Sequence, residues 1–172
     1  GLALQAWRGL GDTTEVPALD LIEMPIADAA IDSETAARAM AAAGLGCIVL
    51  LGGDGTVRTV SKGAAEVPLV ALSTGTNNAL SSFTEGTLAG LAAAAVAQGW
   101  VPLQEVALRH KGLEIAIDGE PLDRALVDVA LVRGQWRGAR AVWNIANVRW
   151  ILVTQADPEQ VGISAVAGAL GS

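Results

Sequence analysis

Cys47-Ile48-Val49-Leu50-Leu51 is an unbroken apolar run that stops at Gly52-Gly53-Asp54-Gly55-Thr56. A run this short, closed by glycine, reads as a strand of the buried parallel type over 46–51. The glycines predict a tight corner with φ > 0, where a phosphate can approach the main chain. Asp54 is then a single carboxylate held where a strand ends. Open α/β sheets bind their ligands at such places.

The surrounding sequence extends this unit. Residues 18–24 suit a short strand. Asp32-Ser33-Glu34-Thr35 reads as a helix start, with capping groups and acids near the positive end, and that helix is expected to stop near Gly44. A short helix is expected from Thr56 to Gly63. The run at 67–72 reads as the next strand, followed by a second polar loop, Ser73-Thr74-Gly75-Thr76-Asn77-Asn78. Thr84-Glu85 opens a further helix that ends by Gly99. The β-α-β-α order predicts an α/β fold, a parallel sheet with covering helices.

The pattern changes after Gly99. Residues 104–109, 112–118, 124–132 and 147–154 read as strands, with turns at His110-Lys111-Gly112 and Asp118-Gly119-Glu120. Asp157-Pro158-Glu159 reads as a turn or the start of a last helix. Two domains are expected: 1–100, an α/β unit with no clear opening strand, and 101–172, a β-rich unit. No long linker separates them, so they should pack directly together. The opening Gly1-Leu2-Ala3-Leu4-Gln5-Ala6-Trp7 resembles a helix end; a missing preceding segment and dropped stretches both fit it.

Composition narrows the function. The chain has 172 residues, 52% of them apolar and 17% charged, enough for a core and too few charges for disorder. A net charge of −7 argues against nucleic acid as partner. ATP remains compatible, since main-chain N–H groups and a metal ion can supply the positive field. No apolar run reaches the roughly 18 residues of a membrane span, and no signal-peptide pattern opens the chain. The single Cys47 reads as a small core residue and fits a reducing cytoplasm. With His110 as the only histidine, no His-rich metal centre is possible and no other ligand pattern shows. Ser81 and Ser82 lack a nucleophile-elbow pattern. Arg58 and Lys62 lie on the helix after the corner, where they could reach a phosphate or face water, and the solvated face is the favoured reading. Trp136, Trp143 and Trp150 recur every seven residues and read as core or subunit interface.

Two glycine-bearing polar loops, each after a predicted strand and in this order, resemble the NAD kinase and diacylglycerol kinase superfamily. Within it the chain resembles the ATP-NAD kinase-like proteins of acetoin catabolism, the protein X group. The resembling stretches are 48–78, 124–131 and 162–168. The resemblance implies ATP, NAD and Mg²⁺ as cofactors and a small-molecule nucleotide as partner. It also implies a β-sandwich-like domain that closes the site, and at least a dimer.

Two departures stand out. NAD kinases carry an Asn–acid pair in a strand like Ala-Leu-Asn-Glu-Val-Val, where this chain has Ala125-Leu126-Val127-Asp128-Val129-Ala130. The acid is kept and the Asn is Val127. The later Gly-Ser-Thr-Ala-Tyr segment has no match, and there is no tyrosine. The second loop is closer to the Gly-Thr-Gly-Asn-Asp of lipid kinases.

By this resemblance Asp54 is the catalytic candidate: it orients a hydroxyl, accepts its proton or holds Mg²⁺, orientation being the role a loose phosphoryl transition state asks for. The bland alternative is that Asp54 only caps the following helix. The backbone of Gly52, Gly53 and Gly55 could cradle anionic oxygens. Thr56 either donates to phosphate or caps its helix. Thr74, Gly75, Thr76, Asn77 and Asn78 form a loop suited to ribose and adenine, or are plain turn chemistry. Asp128, an acid in an apolar strand, needs a partner: a ribose diol or an arginine such as Arg124 or Arg133. The leading function is an NAD kinase-like phosphotransferase. The alternatives are a non-catalytic nucleotide-binding regulator linked to acetoin catabolism, and a lipid kinase-like protein, for which no membrane-docking helix is visible.

Overall fold

A computed structural model describes residues 8–9, 18–134, 138, 142, 144–159 and 162–170. In chain order these form α1 (Ala30–Ala42), β1 (Ile48–Leu51), α2 (Asp54–Gly63), β2 (Leu69–Leu72), α3 (Gly86–Ala97), α4 (Leu103–Val106), β3 (Leu113–Ile117), β4 (Glu120–Ala125), β5 (Asp128–Val132), β6 (Val148–Val153) and α5 (Ile163–Leu170). A 3₁₀ turn at Ile145–Asn147 leads into β6.

α1 starts two residues before the expected Asp32. The reason is that Asp32 reaches back, its carboxylate accepting the N–H groups of Ala27 and Ala29. Gly44, with φ 75°, ends the helix where expected: its N–H bonds to the Ala41 carbonyl and that of Leu45 to Met40. Glu85 caps α3 by accepting from the Thr87 and Leu88 N–H groups. The Thr87 bond is the main reason its carboxyl lies below the usual range.

β1 and β2 pair in parallel, Ile48 opposite Leu69 and Leu51 opposite Leu72. Past β2 the chain returns at Ser82, which bridges to Leu72. The apolar core is Ala37, Ile48, Leu50, Val57, Val60 and Ala64, between α1, α2 and β1. Gly63 makes the helix crossing possible: a Cβ there would collide with the Glu34 carbonyl and lie 2.9 Å from the Arg38 nitrogen.

Several expectations need correction. Among the described residues the parallel sheet has two strands, and α1 and α2 pack on the core side of β1. β1 is not buried on both faces, since Val49 is 45% and Leu51 69% exposed. Residues 18–24 form no strand; among the described residues they have no ladder partner, and a segment without one leaves its backbone groups to water. Instead of a strand at 104–109 there is the single turn α4, closed by the Glu105 N–H on the Pro102 carbonyl. His110-Lys111-Gly112 therefore joins no two strands.

Among its described residues the β-rich half forms two antiparallel strand pairs, β3–β4 and β5–β6. Asp118 (φ 54°) and Gly119 (φ 86°) give the first its expected tight turn. The run 124–132 breaks in two. Its Leu126 carbonyl leaves the ladder to bond Thr154 Oγ1 at 2.9 Å and His110 Nε2 at 2.7 Å. Residues 158–159 are a turn. Trp136 and Trp143 lie outside the described residues; Trp150 is on a strand and 74% exposed, so it is not core.

Candidate functional site

Gly53 is the extended residue before α2, and Asp54 is the helix's first residue. None of Gly52, Gly53, Gly55 and Gly75 has positive φ, contrary to expectation. What the first two supply is space. A Cβ on Gly52 would strike the Thr56 side chain, and one on Gly53 would lie 2.6 Å from Asn78 Oδ1. Gly55 is exposed and a Cβ there would meet nothing.

Asp54 does not cap its own helix through its side chain. Its carboxylate crosses to the second loop: Oδ2 accepts from the Ala79 N–H at 2.8 Å and Oδ1 from the Leu80 N–H at 2.9 Å. Its own N–H donates to Asn78 Oδ1 at 3.2 Å. Asn78 Nδ2 donates to Ser73 Oγ at 2.7 Å, and Ser73 Oγ donates to the Gly75 carbonyl at 3.0 Å. The two polar loops are thus one hydrogen-bonded unit around a half-buried carboxylate.

Thr74, Thr76 and Asn77 are exposed on the rim of this unit, and Thr56 is half-buried beside Gly52. Asp128 stands apart. It opens β5 opposite Val153, and among the described residues no hydrogen bond or ion pair joins its side chain to either loop. Burial pushes its carboxyl above the usual range. Arg124 is not its partner: Arg124 Nε bonds Glu114 at 2.6 Å. No ion pair reaches it from Arg133.

A cleft of about 1430 Å³ runs along β2, α3, the 101–110 segment and the β3–β4 hairpin. Ala79 and Leu80 line it, so the residues that hold Asp54 form part of its wall. Asp54 lines neither this cleft nor a smaller one of about 210 Å³ beside Thr56. Cys47 lies on the larger cleft, and burial raises its thiol above the ordinary range.

The sequence reading missed the Arg58–Lys62–Asp123 cluster. Arg58 Nη1 donates to both Asp123 oxygens at 2.8 and 2.7 Å, and Lys62 Nζ lies 2.5 Å from one of them. Burial alone would raise the Asp123 carboxyl. Hydrogen bonds from Lys62, the Arg124 N–H and Arg58, with the Arg58 charge, outweigh it and hold the group at about 2. The available signal was the i, i+4 spacing of Arg58 and Lys62. Ser73, Ala79 and Leu80 were also missed, two of them because they act through main-chain N–H groups.

This geometry places a carboxylate at the end of a parallel strand, under a second polar loop, in a mixed α/β fold. The chain matches the ATP-NAD kinase N-terminal domain over residues 11–100 and belongs to that family. Residues 111–172 match the acetoin catabolism protein X C-terminal domain. A curated relative, acetoin catabolism protein X of Cupriavidus necator, is 40% identical over 173 residues, covering 98% of this chain and 48% of its own. The chain therefore spans about half the length of that relative. No solved structure matches. Among the described residues no helix is long and apolar enough to cross a membrane.

Proposed function

We propose that the chain binds a nucleotide at the Asp54 corner and acts as an ATP-dependent, NAD kinase-like phosphotransferase, with NAD or a related hydroxyl as acceptor. The observation that carries this reading is the strand-end carboxylate fixed by the Ala79 and Leu80 N–H groups. Phosphoryl transfer depends on positioning and charge neutralisation more than on covalent chemistry. Each Asp54 oxygen keeps a further acceptor position, so the carboxylate can receive a substrate O–H while staying in place. A group pinned by two main-chain donors suits orienting a hydroxyl better than carrying a proton elsewhere.

In this reading the Gly53 and Gly55 N–H groups and Thr56 meet the phosphate oxygens, since the Gly52 N–H is already bonded to the Leu72 carbonyl and that of Asp54 to Asn78 Oδ1. Thr74, Gly75, Thr76, Asn77 and Asn78 take ribose and base, and Asp128 takes ribose hydroxyls that replace its lost hydration. Among the described residues no group of three or more His, Cys, Asp or Glu stands together to hold a metal. One carboxylate does not make a resident Mg²⁺ site, so Mg²⁺ would arrive with the incoming nucleotide and neutralise its phosphate charge. A cytoplasmic place and a homo-oligomer accompany this reading.

A second reading, a nucleotide-binding regulator without turnover linked to acetoin catabolism, draws on a specific observation. Val127 stands where NAD kinases carry Asn, and the Gly-Ser-Thr-Ala-Tyr segment of that family has no match in this chain.

The test is NADP formation by the intact protein with ATP, Mg²⁺ and NAD. Wild type should form product and Asp54→Ala should not. Equal background product from both, with ATP still bound, overturns the kinase reading. A melting shift with NAD alone, worth about 2.7 kcal/mol at a hundredfold excess over Kd, would then identify the regulator.

A further inference from the structure

α2 is gripped at two points on one stripe. Asp54, Arg58 and Lys62 follow at i, i+4 and i+8, so they lie along the same helix face. At the first point the second loop holds the Asp54 carboxylate through Ala79 and Leu80. At the second the β3–β4 hairpin holds Arg58 and Lys62 through the single carboxylate of Asp123. The hairpin adds two main-chain contacts: Arg58 Nη1 donates to the Arg124 carbonyl at 3.3 Å, and Arg124 Nη1 to the Ser61 carbonyl at 3.4 Å. No side chain in the Arg58–Lys62–Asp123 cluster is more than 34% exposed.

A ten-residue helix is a stiff rod about 15 Å long. Anchoring two side chains on one face fixes both its rotation about its axis and its position along it. The direction in which its first residue holds a carboxylate is then fixed as well.

We propose that Asp123 is a positioning residue: through Arg58 and Lys62 it sets the α2 helix so that Asp54 stays seated against the Ala79 and Leu80 N–H groups. The β-rich half of the chain thereby controls the geometry of the glycine corner. This deepens the phosphotransfer reading and rests on it for its catalytic meaning.

The experiment is residue-resolved amide exchange on the intact protein. In Asp123→Asn, exchange at Ala79 and Leu80 should quicken about tenfold, while the β1–β2 amides Ile48 and Gly52 stay within about twofold of wild type. Asp123→Glu, which restores the charge, should return both rates toward wild type. Glu114→Gln, which removes the exposed Arg124–Glu114 pair of the same hairpin, should change neither. Should Asp123→Asn not fold, Lys62→Met should give the same pattern at smaller size.

Unchanged exchange at Ala79 and Leu80 overturns the proposal. So does a uniform rise at all amides, which would make Asp123 a general stabiliser. Kinetics separate the two claims: kcat should fall in Asp123→Asn with ATP affinity kept. If wild type transfers no phosphate, the phosphotransfer reading fails while the exchange result still decides the role of Asp123.

Discussion

Asp54 sits at the first position of a helix and bonds across to another loop. Removing it costs two charge-assisted hydrogen bonds, so Asp54→Ala should lose about 3 kcal/mol and melt on the order of 10 °C lower, as a thermal scan would show. Asp128 behaves oppositely. Its carboxyl titrates above the usual range because burial disfavours the charge. Its ionised form therefore weighs against the folded state above that range, and the cost vanishes as pH falls and the group protonates. Asp128→Asn should melt higher than wild type at pH 7 and equal to it near pH 3, while nucleotide affinity falls. The Asp54 corner was legible because strand, glycine and acid are contiguous. Its partners were not, because main-chain N–H groups carry no side-chain signature in a sequence.

At the scale of elements, α2 connects everything the site needs. Gly63 lets it cross α1 at contact distance, so Gly63→Ala should cost about 1–3 kcal/mol through a Cβ forced onto the Glu34 carbonyl, measurable by urea unfolding. The Asp123 cluster has its own pH signature. Its carboxyl is held at about 2 against an ordinary 3.8, so its stabilisation is complete above the ordinary value and is lost as pH falls through the range down to about 2. An acid melt of Asp123→Asn should lack that loss. Arg58 and Lys62 read as a solvated face, yet both are mostly buried and paired with Asp123. Their partner was not legible, because Asp123 lies 65 positions beyond Arg58 and nothing local marks it among 18 acidic residues. Helix ends read well because Gly44, Glu85 and Gly99 act locally. The strand at 18–24 failed because a strand exists only with a neighbour, which no local pattern supplies.

For the whole molecule, the order of an α/β half followed by a hairpin-rich half was legible from the change of period near residue 100. The extent of the sheet was not, since it depends on which distant segments pair. The functional reading depends on both halves: one supplies the glycine corner, and the other holds the helix that carries it. Transfer of labelled γ-phosphate from ATP, measured for the intact protein and for Asp54→Asn, tests this most directly. The acceptors would be NAD, a free ribonucleoside and a diacylglycerol, each offered alone. The account predicts label on NAD or the ribonucleoside with wild type and at least a hundredfold less with Asp54→Asn, about 2.7 kcal/mol of transition-state stabilisation. Label on the diacylglycerol alone, or equal transfer by both proteins, would contradict it.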